Sequence, residues 1–155
     1  MREILFRGKV AETGEWRYGN FEIRKDANGK RPPAYLIDTM QYCPIGKKVI
    51  PETVGQFTGL TDKNGKKIFE GDIVKYTRKN MYAPEASFHK QDLVSLHLVL
   101  WDSSVSAFVQ RHYSLNEKRI IGKGSAVLYD DRARENIVEV IGNIHDNPEL
   151  LEVSE

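Results

Sequence analysis

The stretch that decides the fold is Gln56–Tyr76, QFTGLTDKNGKKIFEGDIVKY. Asn64-Gly65 is a strong signal for a hairpin, because the tight turns between antiparallel strands need residues that adopt positive φ. Glu70-Gly71-Asp72 predicts a second tight turn, and the β-branched and aromatic residues of Ile73–Thr77 predict a strand. Two turns within ten residues, joined by a short strand, predict a small and strongly bent antiparallel barrel.

Turn signals separate further predicted strands on both sides of this stretch, and helical periodicity is nearly absent. An N-terminal hairpin is predicted with its turn at Thr13-Gly14, between Ile4–Phe6 and Phe21–Ile23. Asn147-Pro148 predicts the N-cap and first position of a short C-terminal helix. The other predicted strands are Ala34–Ile37, Lys47–Ile50, Leu93–Trp101, Val105–Val109, Ala126–Tyr129 and Ile137–Ile141.

The alternation of side chains is clearest in Leu93–Trp101. Val94, Leu96, Leu98 and Leu100 share one predicted face, and Ser95 and His97 share the other. This pattern predicts that His97 is an ordinary surface residue. Val105–Val109 is predicted to pair with this strand across Asp102–Ser104. Residues 78–92 show no periodicity, which is typical of a long loop.

Composition bounds the class of protein. The chain has 155 residues, of which 40% are hydrophobic, and a formal net charge of +1. One or two small domains with a buried core are expected, and a nucleic-acid footprint over the whole molecule is not. Cys43 is the single cysteine, so no disulfide can form within the chain. The longest apolar run is far below the ~20 residues of a membrane-spanning helix, and the N-terminus lacks a signal-peptide pattern. We therefore expect a cytoplasmic protein.

Known phosphate and metal motifs fail at specific positions. A calcium loop that began at Asp62 would place Lys67 where glycine is required and Ile73 where the bidentate glutamate belongs. A phosphate loop from Gly59 would be one residue too long and would place Lys67 at the serine or threonine position. The histidines lack zinc-ligand spacing. We expect neither a metal nor a cofactor.

Catalytic groups are not predicted either. Cys43 lacks the flanking residues of a known nucleophile and is expected to be a small buried or half-buried side chain. Carboxylate pairs such as Glu70 with Asp72, or Asp130 with Asp131, can perform acid–base chemistry when their pKa values differ. Here each pair lies in a turn-like context, where aspartate commonly accepts hydrogen bonds from its own backbone.

A short basic and aromatic run, Lys75–Tyr82, begins within the predicted strand Ile73–Thr77 and extends beyond it. Its candidate contact residues for a partner or for nucleic acid are Lys75, Arg78, Lys79 and Tyr82. Small barrels bind single strands by combining phosphate contacts with base stacking. Charge elsewhere is balanced, however, and Tyr76 on a strand is expected to belong to the core.

Three stretches taken together resemble the YopX family of phage and prophage proteins. They are Met1–Lys9 with Gly14–Gly19, Gln56–Val74 and Val140–Leu151. The resemblance covers nearly the whole chain and is weak at about residues 78–92, which look like a local insertion. It implies a β-rich fold that contains an SH3-like barrel, and it implies no assigned activity, catalytic residue or cofactor.

These inferences predict a mainly β protein with an SH3-like small barrel, an N-terminal β-hairpin region and a short C-terminal helix. The expected division is 1–55 and 56–155, or alternatively a single compact unit. The first function hypothesis is a non-enzymatic phage or prophage accessory protein that binds a phage or host protein and forms a homo-oligomer through exposed strand edges. The alternatives are a nucleic-acid-binding protein that uses residues 75–82 and a hydrolase that uses carboxylates.

Overall fold

The computed structural model describes residues 3–25, 27–28, 32–38, 46–78, 93–114, 119–120, 126–127 and 138–151. These residues form two antiparallel sheets, and the predicted mainly β fold is confirmed. Contacts divide the chain into two compact units, Met1–Gly59 and Leu60–Glu155. Within the described part of the chain, no helix is long and apolar enough to cross a membrane.

The first unit is built on a hairpin and two further strands. It contains β1 (Phe6–Lys9), β2 (Trp16–Arg24), β3 (Ala34–Asp38), β4 (Lys47–Lys48), a 3₁₀ turn at Pro51–Thr53 and the start of β5 (Gly55–Thr61). The strand order is β4-β3-β2-β1-β5. The predicted turn between β1 and β2 is confirmed, and Gly14 has a φ of 72° there.

The sheet of the first unit curls back on itself. Val49 donates its N–H to the Tyr35 carbonyl at 2.9 Å on one side, and it forms a bridge with Val10 on the other. Gly8 lies inside this curl, where a Cβ atom would be 3.1 Å from Ile37 Cδ1 and 3.2 Å from Val49 Cβ. Ile37 and Val49 are buried, so the curl encloses a small apolar core.

The second unit contains the described strands of the second sheet, together with β6 of the first sheet. Its strands are β6 (Lys67–Phe69), β7 (Asp72–Arg78), β8 (Leu93–Asp102), β9 (Ala107–Ser114), β10 (Arg119–Ile120), β11 (Ala126–Val127) and β12 (Val138–Asn143). The order is β10-β9-β8-β7-β12, and β11 also pairs with β9. The core cluster is formed by Ile68, Val74, Val99, Val138 and Val140, with Leu60 and Tyr76 packed against it.

The predicted faces of β8 are wrong in one respect. Val99 is 0% exposed and lies on the same face as His97. His97 is half-buried, and its ring centroid lies 5.8 Å from that of Tyr76. Leu98, on the other face, is also buried. The alternation could not identify a single core face because this end of the sheet is covered on both sides.

The predicted SH3-like barrel at 56–155 is not confirmed, because the strands from β5 onward form no closed barrel among the described residues. Both turns of Gln56–Tyr76 form where predicted, with φ of 78° at Gly65 and 82° at Gly71. The second turn, however, does not return the chain beside β6. It carries the chain from β6, which neighbours β5, to β7, which neighbours β8 and β12.

Two boundaries also differ from the prediction. Val105 lies in the turn before β9, and Ser106 has a φ of 50°. The predicted C-terminal helix is a single 3₁₀ turn at Pro148–Leu151. It packs so closely on β12 that a Cβ atom at Gly142 would lie 2.6 Å from Asn147 Oδ1 and 2.8 Å from Leu150 Cδ1.

Candidate interaction site at the β8–β9 hairpin

The end of the β8–β9 hairpin presents two large apolar side chains to solvent. Trp101 is 47% exposed and Val105 is 51% exposed. The Trp101 ring meets Phe108 on β9 edge to face, with the ring centroids 5.1 Å apart. Since Phe108 is buried, it anchors the indole to the hairpin, while about half of the Trp101 surface stays accessible.

Asp102 fixes the turn that follows Trp101. Its Oδ1 atom accepts hydrogen bonds from the Ser104 backbone N–H at 2.9 Å and from Ser104 Oγ at 2.5 Å. Its Oδ2 atom accepts a 2.7 Å hydrogen bond from Arg111, which lies on β9. One carboxylate therefore joins both strands to the turn, so the hairpin end is pre-organised.

The turn before β7 supports the same strand end from the other side. Gly71 donates its N–H to the Val99 carbonyl at 2.9 Å, and Glu70 Oε1 accepts a long hydrogen bond of 3.4 Å from the Trp101 N–H. Glu70 therefore places a carboxylate beside Trp101, and Asp102 places a second carboxylate at the turn that carries Val105. An apolar centre with a polar rim is the usual composition of a protein–protein contact.

Two further polar side chains in the described ranges accept hydrogen bonds from backbone N–H groups. Asp72, which is buried, accepts a 2.8 Å hydrogen bond from the Phe69 N–H. Asn143 Oδ1 accepts hydrogen bonds from the N–H groups of His145 and Asp146. Among the described residues, no group of three or more histidine, cysteine, aspartate or glutamate side chains is arranged to hold a metal ion.

The Asp62 carboxylate joins its own turn to β12. It is 5% exposed and accepts hydrogen bonds from the N–H groups of Asn64 (2.8 Å), Lys66 (2.9 Å) and Val140 (3.0 Å). Burial alone would raise the pKa of Asp62, but the backbone donors at Val140, Lys66 and Asn64 outweigh burial and hold that pKa below its ordinary value.

The structure describes only part of the predicted basic and aromatic run. Lys75 lies on β7, with its Nζ 3.8 Å from the Glu139 carboxylate. Arg78 is the last residue of β7, where its backbone pairs with Leu93. Lys79 and Tyr82 lie outside the described residues. The structure therefore does not bring the four residues together as one observed surface.

The family model for the YopX protein matches residues 5–152. The chain belongs to the YopX family. The fold is also similar to the crystal structure of protein EF1440 from Enterococcus faecalis, with a TM-score of 0.50 and 25% sequence identity over 98% of this chain and 100% of that chain. No curated protein matches the chain.

The sequence of this YopX-family chain contained an unused signal for the hairpin end. The alternation in β8 placed Trp101 on the face of Ser95 and His97, which was predicted to face solvent, and a large aromatic residue there is unusual. The contact of Ser95 Oγ with His97 Nε2 at 2.9 Å was also missed. Both side chains lie on one face of β8 because strand residues two apart share a face.

Proposed function

We propose that this YopX-family chain is a non-enzymatic accessory protein of a phage or prophage that binds another protein through the end of the β8–β9 hairpin. The observation that carries the proposal is the exposure of Trp101 and Val105 on a turn fixed by Asp102. The partner is expected to be a phage or host protein that offers an apolar pocket for the indole.

Tryptophan is enriched among the residues that dominate binding energy, because it buries a large area at little cost in rotamer freedom. Pre-organisation adds to this advantage, since a partner does not have to order the loop on binding. Asp102 provides that order through its contacts with Ser104 and Arg111. The hairpin end therefore combines an aromatic anchor with a rigid support.

The non-enzymatic part of the proposal is supported by what the acidic side chains do. A hydrolase needs carboxylates that can exchange protons with a substrate. Asp62 and Asp72 are instead buried and accept hydrogen bonds from backbone N–H groups, and Asp102 holds the hairpin turn. These contacts favour a structural role for each of the three.

The test is capture of partners by the tagged protein in a bacterial host, with quantification by mass spectrometry. The variant is Trp101→Ser combined with Val105→Ser. The control is Val94→Ser, because Val94 lies on the same strand and is 58% exposed, but is distant in sequence from the hairpin turn. We expect a discrete protein partner for the wild type and the control, and its loss for the double variant.

The affinity for the purified partner provides the magnitude. Removing an aromatic hot spot costs about 2 kcal/mol or more, which is roughly a thirtyfold increase in Kd. Equal affinities of the double variant and of Val94→Ser would overturn the assignment of the hairpin end.

Nucleic acid is the alternative partner, and a nuclease treatment before capture distinguishes it. Material that disappears with nuclease, and that also depends on Lys75, Arg78 and Lys79, would replace the protein-binding proposal with the basic run. Such binding would also weaken steeply with salt, because phosphate contacts release counterions.

A further inference from the structure

Among the described residues, β12 is the last strand on its side of the second sheet. In an antiparallel pair, the N–H and C=O groups of alternate residues point away from the partner strand. On β12 the outward groups include the Val138 carbonyl and the Val140 N–H, which flank Glu139. An outward row of this kind is a template for pairing with another strand.

Two residues of the β5–β6 turn occupy these outward groups. Lys63 donates its N–H to the Val138 carbonyl at 3.0 Å, and Asp62 Oδ2 accepts the Val140 N–H at 3.0 Å. A neighbouring strand would supply one N–H and one C=O at these positions. Here the backbone of Lys63 supplies the donor, and the Asp62 carboxylate takes the place of the carbonyl.

The pair Asp62–Lys63, which we call the edge clip, is held from both sides. Lys63 Nζ lies 2.7 Å from the Glu139 carboxylate, so the side chain of Lys63 contacts the same strand as its backbone. Asp62 Oδ1 accepts the N–H groups of Asn64 and Lys66, and the Asp62 carbonyl accepts the Gly65 N–H. The turn is therefore fixed independently of β12.

A second copy of β12 offers the groups that the edge clip supplies. With a two-fold axis through Glu139, the copy would present its Val140 N–H to the Val138 carbonyl and its Val138 carbonyl to the Val140 N–H. This complementarity follows from the antiparallel pattern alone. We propose that the edge clip prevents β12 from pairing with β12 of a second copy, and that this pairing occurs when the clip is lost.

The variant Asp62→Asn tests the proposal with the least change in shape. The amide oxygen can still accept the N–H groups of Asn64 and Lys66. The amide nitrogen then faces the Val140 N–H, so two donors oppose each other and the contact with β12 is lost. Asp72→Asn is the matched control, because Asp72 also accepts a turn N–H but is the first residue of β7 and is not paired with Val138 or Val140.

The first readout is amide hydrogen exchange of Val140, measured at low protein concentration. Losing a hydrogen bond to a charged group is expected to accelerate this exchange about tenfold or more in Asp62→Asn. The second readout is molar mass by light scattering. We expect Asp62→Asn to gain mass with concentration beyond the wild type, whereas Asp72→Asn does not.

The proposal is overturned if Asp62→Asn exposes Val140 but keeps the mass of the wild type, or if Val140 remains as protected as in the wild type. Circular dichroism reports whether the variant is folded. If it is not, Lys63→Ala decides, because it keeps the backbone donor and removes only the contact with Glu139. If Lys63→Ala accelerates Val140 exchange and gains mass, each to a smaller extent, the proposed role of the edge clip is supported. If neither readout changes in Lys63→Ala, the proposal is overturned.

Discussion

Single carboxylates organise this protein at the scale of the residue. Asp62 joins its own turn to β12, Asp72 closes the turn before β7, and Asp102 fixes the turn between β8 and β9. Each carboxylate accepts a backbone N–H for which the short turn offers no carbonyl oxygen. A buried carboxylate that accepts several N–H groups is also an acid-sensitive contact, because its protonated form accepts fewer hydrogen bonds.

Asp62 is therefore expected to make stability depend on pH. The pKa of Asp62 in the folded chain is held below its ordinary value, which is about 3.9. Ionised Asp62 stabilises the folded state fully above that value, and the stabilisation is lost as pH falls from there through the lower folded pKa. Asp62→Asn does not titrate and lacks this contribution at every pH.

The measurement is the free energy of unfolding by urea, from neutral pH to below pH ~3. The difference between wild type and Asp62→Asn should be largest at neutral pH and should shrink below pH ~4. Lys63 also holds the pKa of Glu139 below its ordinary value, but Glu139 is present in both proteins. A difference that stays constant over the whole range would contradict the prediction.

At the scale of the element, the close contact of the 3₁₀ turn Pro148–Leu151 with β12 depends on Gly142. Gly142→Ala would place a methyl group 2.6 Å from Asn147 Oδ1 and 2.8 Å from Leu150 Cδ1. We expect a destabilisation of about 1–3 kcal/mol, since overpacking forces neighbouring atoms to move. Exchange of the Leu150 amide, which donates to the Asn147 carbonyl, should accelerate as the turn is displaced.

Gly65→Ala is the comparison for this prediction. Gly65 has a φ of 78° and open space around its Cβ position, so its cost is strain of about 1–2 kcal/mol without a collision. In Gly65→Ala, the exchange of the Leu150 amide should accelerate only as far as the loss in free energy of unfolding requires. If Leu150 exchange changed in the same proportion to the free energy of unfolding in both variants, the proposed contact of the 3₁₀ turn with Gly142 would be contradicted.

The sequence predicted elements better than their arrangement. Asn64-Gly65 and Gly71 marked both turns because positive φ is a local requirement that glycine meets. The assignment of β6 and β7 to different sheets depends on strands far away in sequence, such as β8 and β12, which no local pattern contains. The alternation did place Trp101 on the face of Ser95 and His97, but it could not show that this face is buried at Val99 and open at Trp101.

At the scale of the whole molecule, the homo-oligomer remains a prediction, but the surface expected to form it has changed. Open strand edges were the original reason. The outward groups of β12 meet the edge clip, and β4 lies between β3 and the chain that follows β1, where Ala11 donates to the Lys48 carbonyl. Association of the wild type is therefore expected to use exposed side chains rather than these two edges.

Light scattering over a wide concentration range measures this. We expect the mass of the wild type to exceed one copy at high concentration and Trp101→Ser to reduce it, because Trp101 is a large exposed apolar side chain at the hairpin end. Val94→Ser is the control for an exposed apolar residue elsewhere on β8. A mass of one copy at every concentration would refute the homo-oligomer.

The hydrogen bond from Val140 to Asp62 joins residues 78 positions apart, and this separation affects the protein during its synthesis. About 60 residues separate the end of β7 from β12, its sheet neighbour, which corresponds to roughly 3–12 s of translation. Throughout that interval β7 lacks its neighbour β12, and the Asp62 carboxylate lacks the Val140 N–H that it accepts in the folded protein. We therefore expect the second sheet to be completed only after residues 138–143 have been synthesised, and a chain that terminates before them to expose the edge of β7, which is a hazard for aggregation.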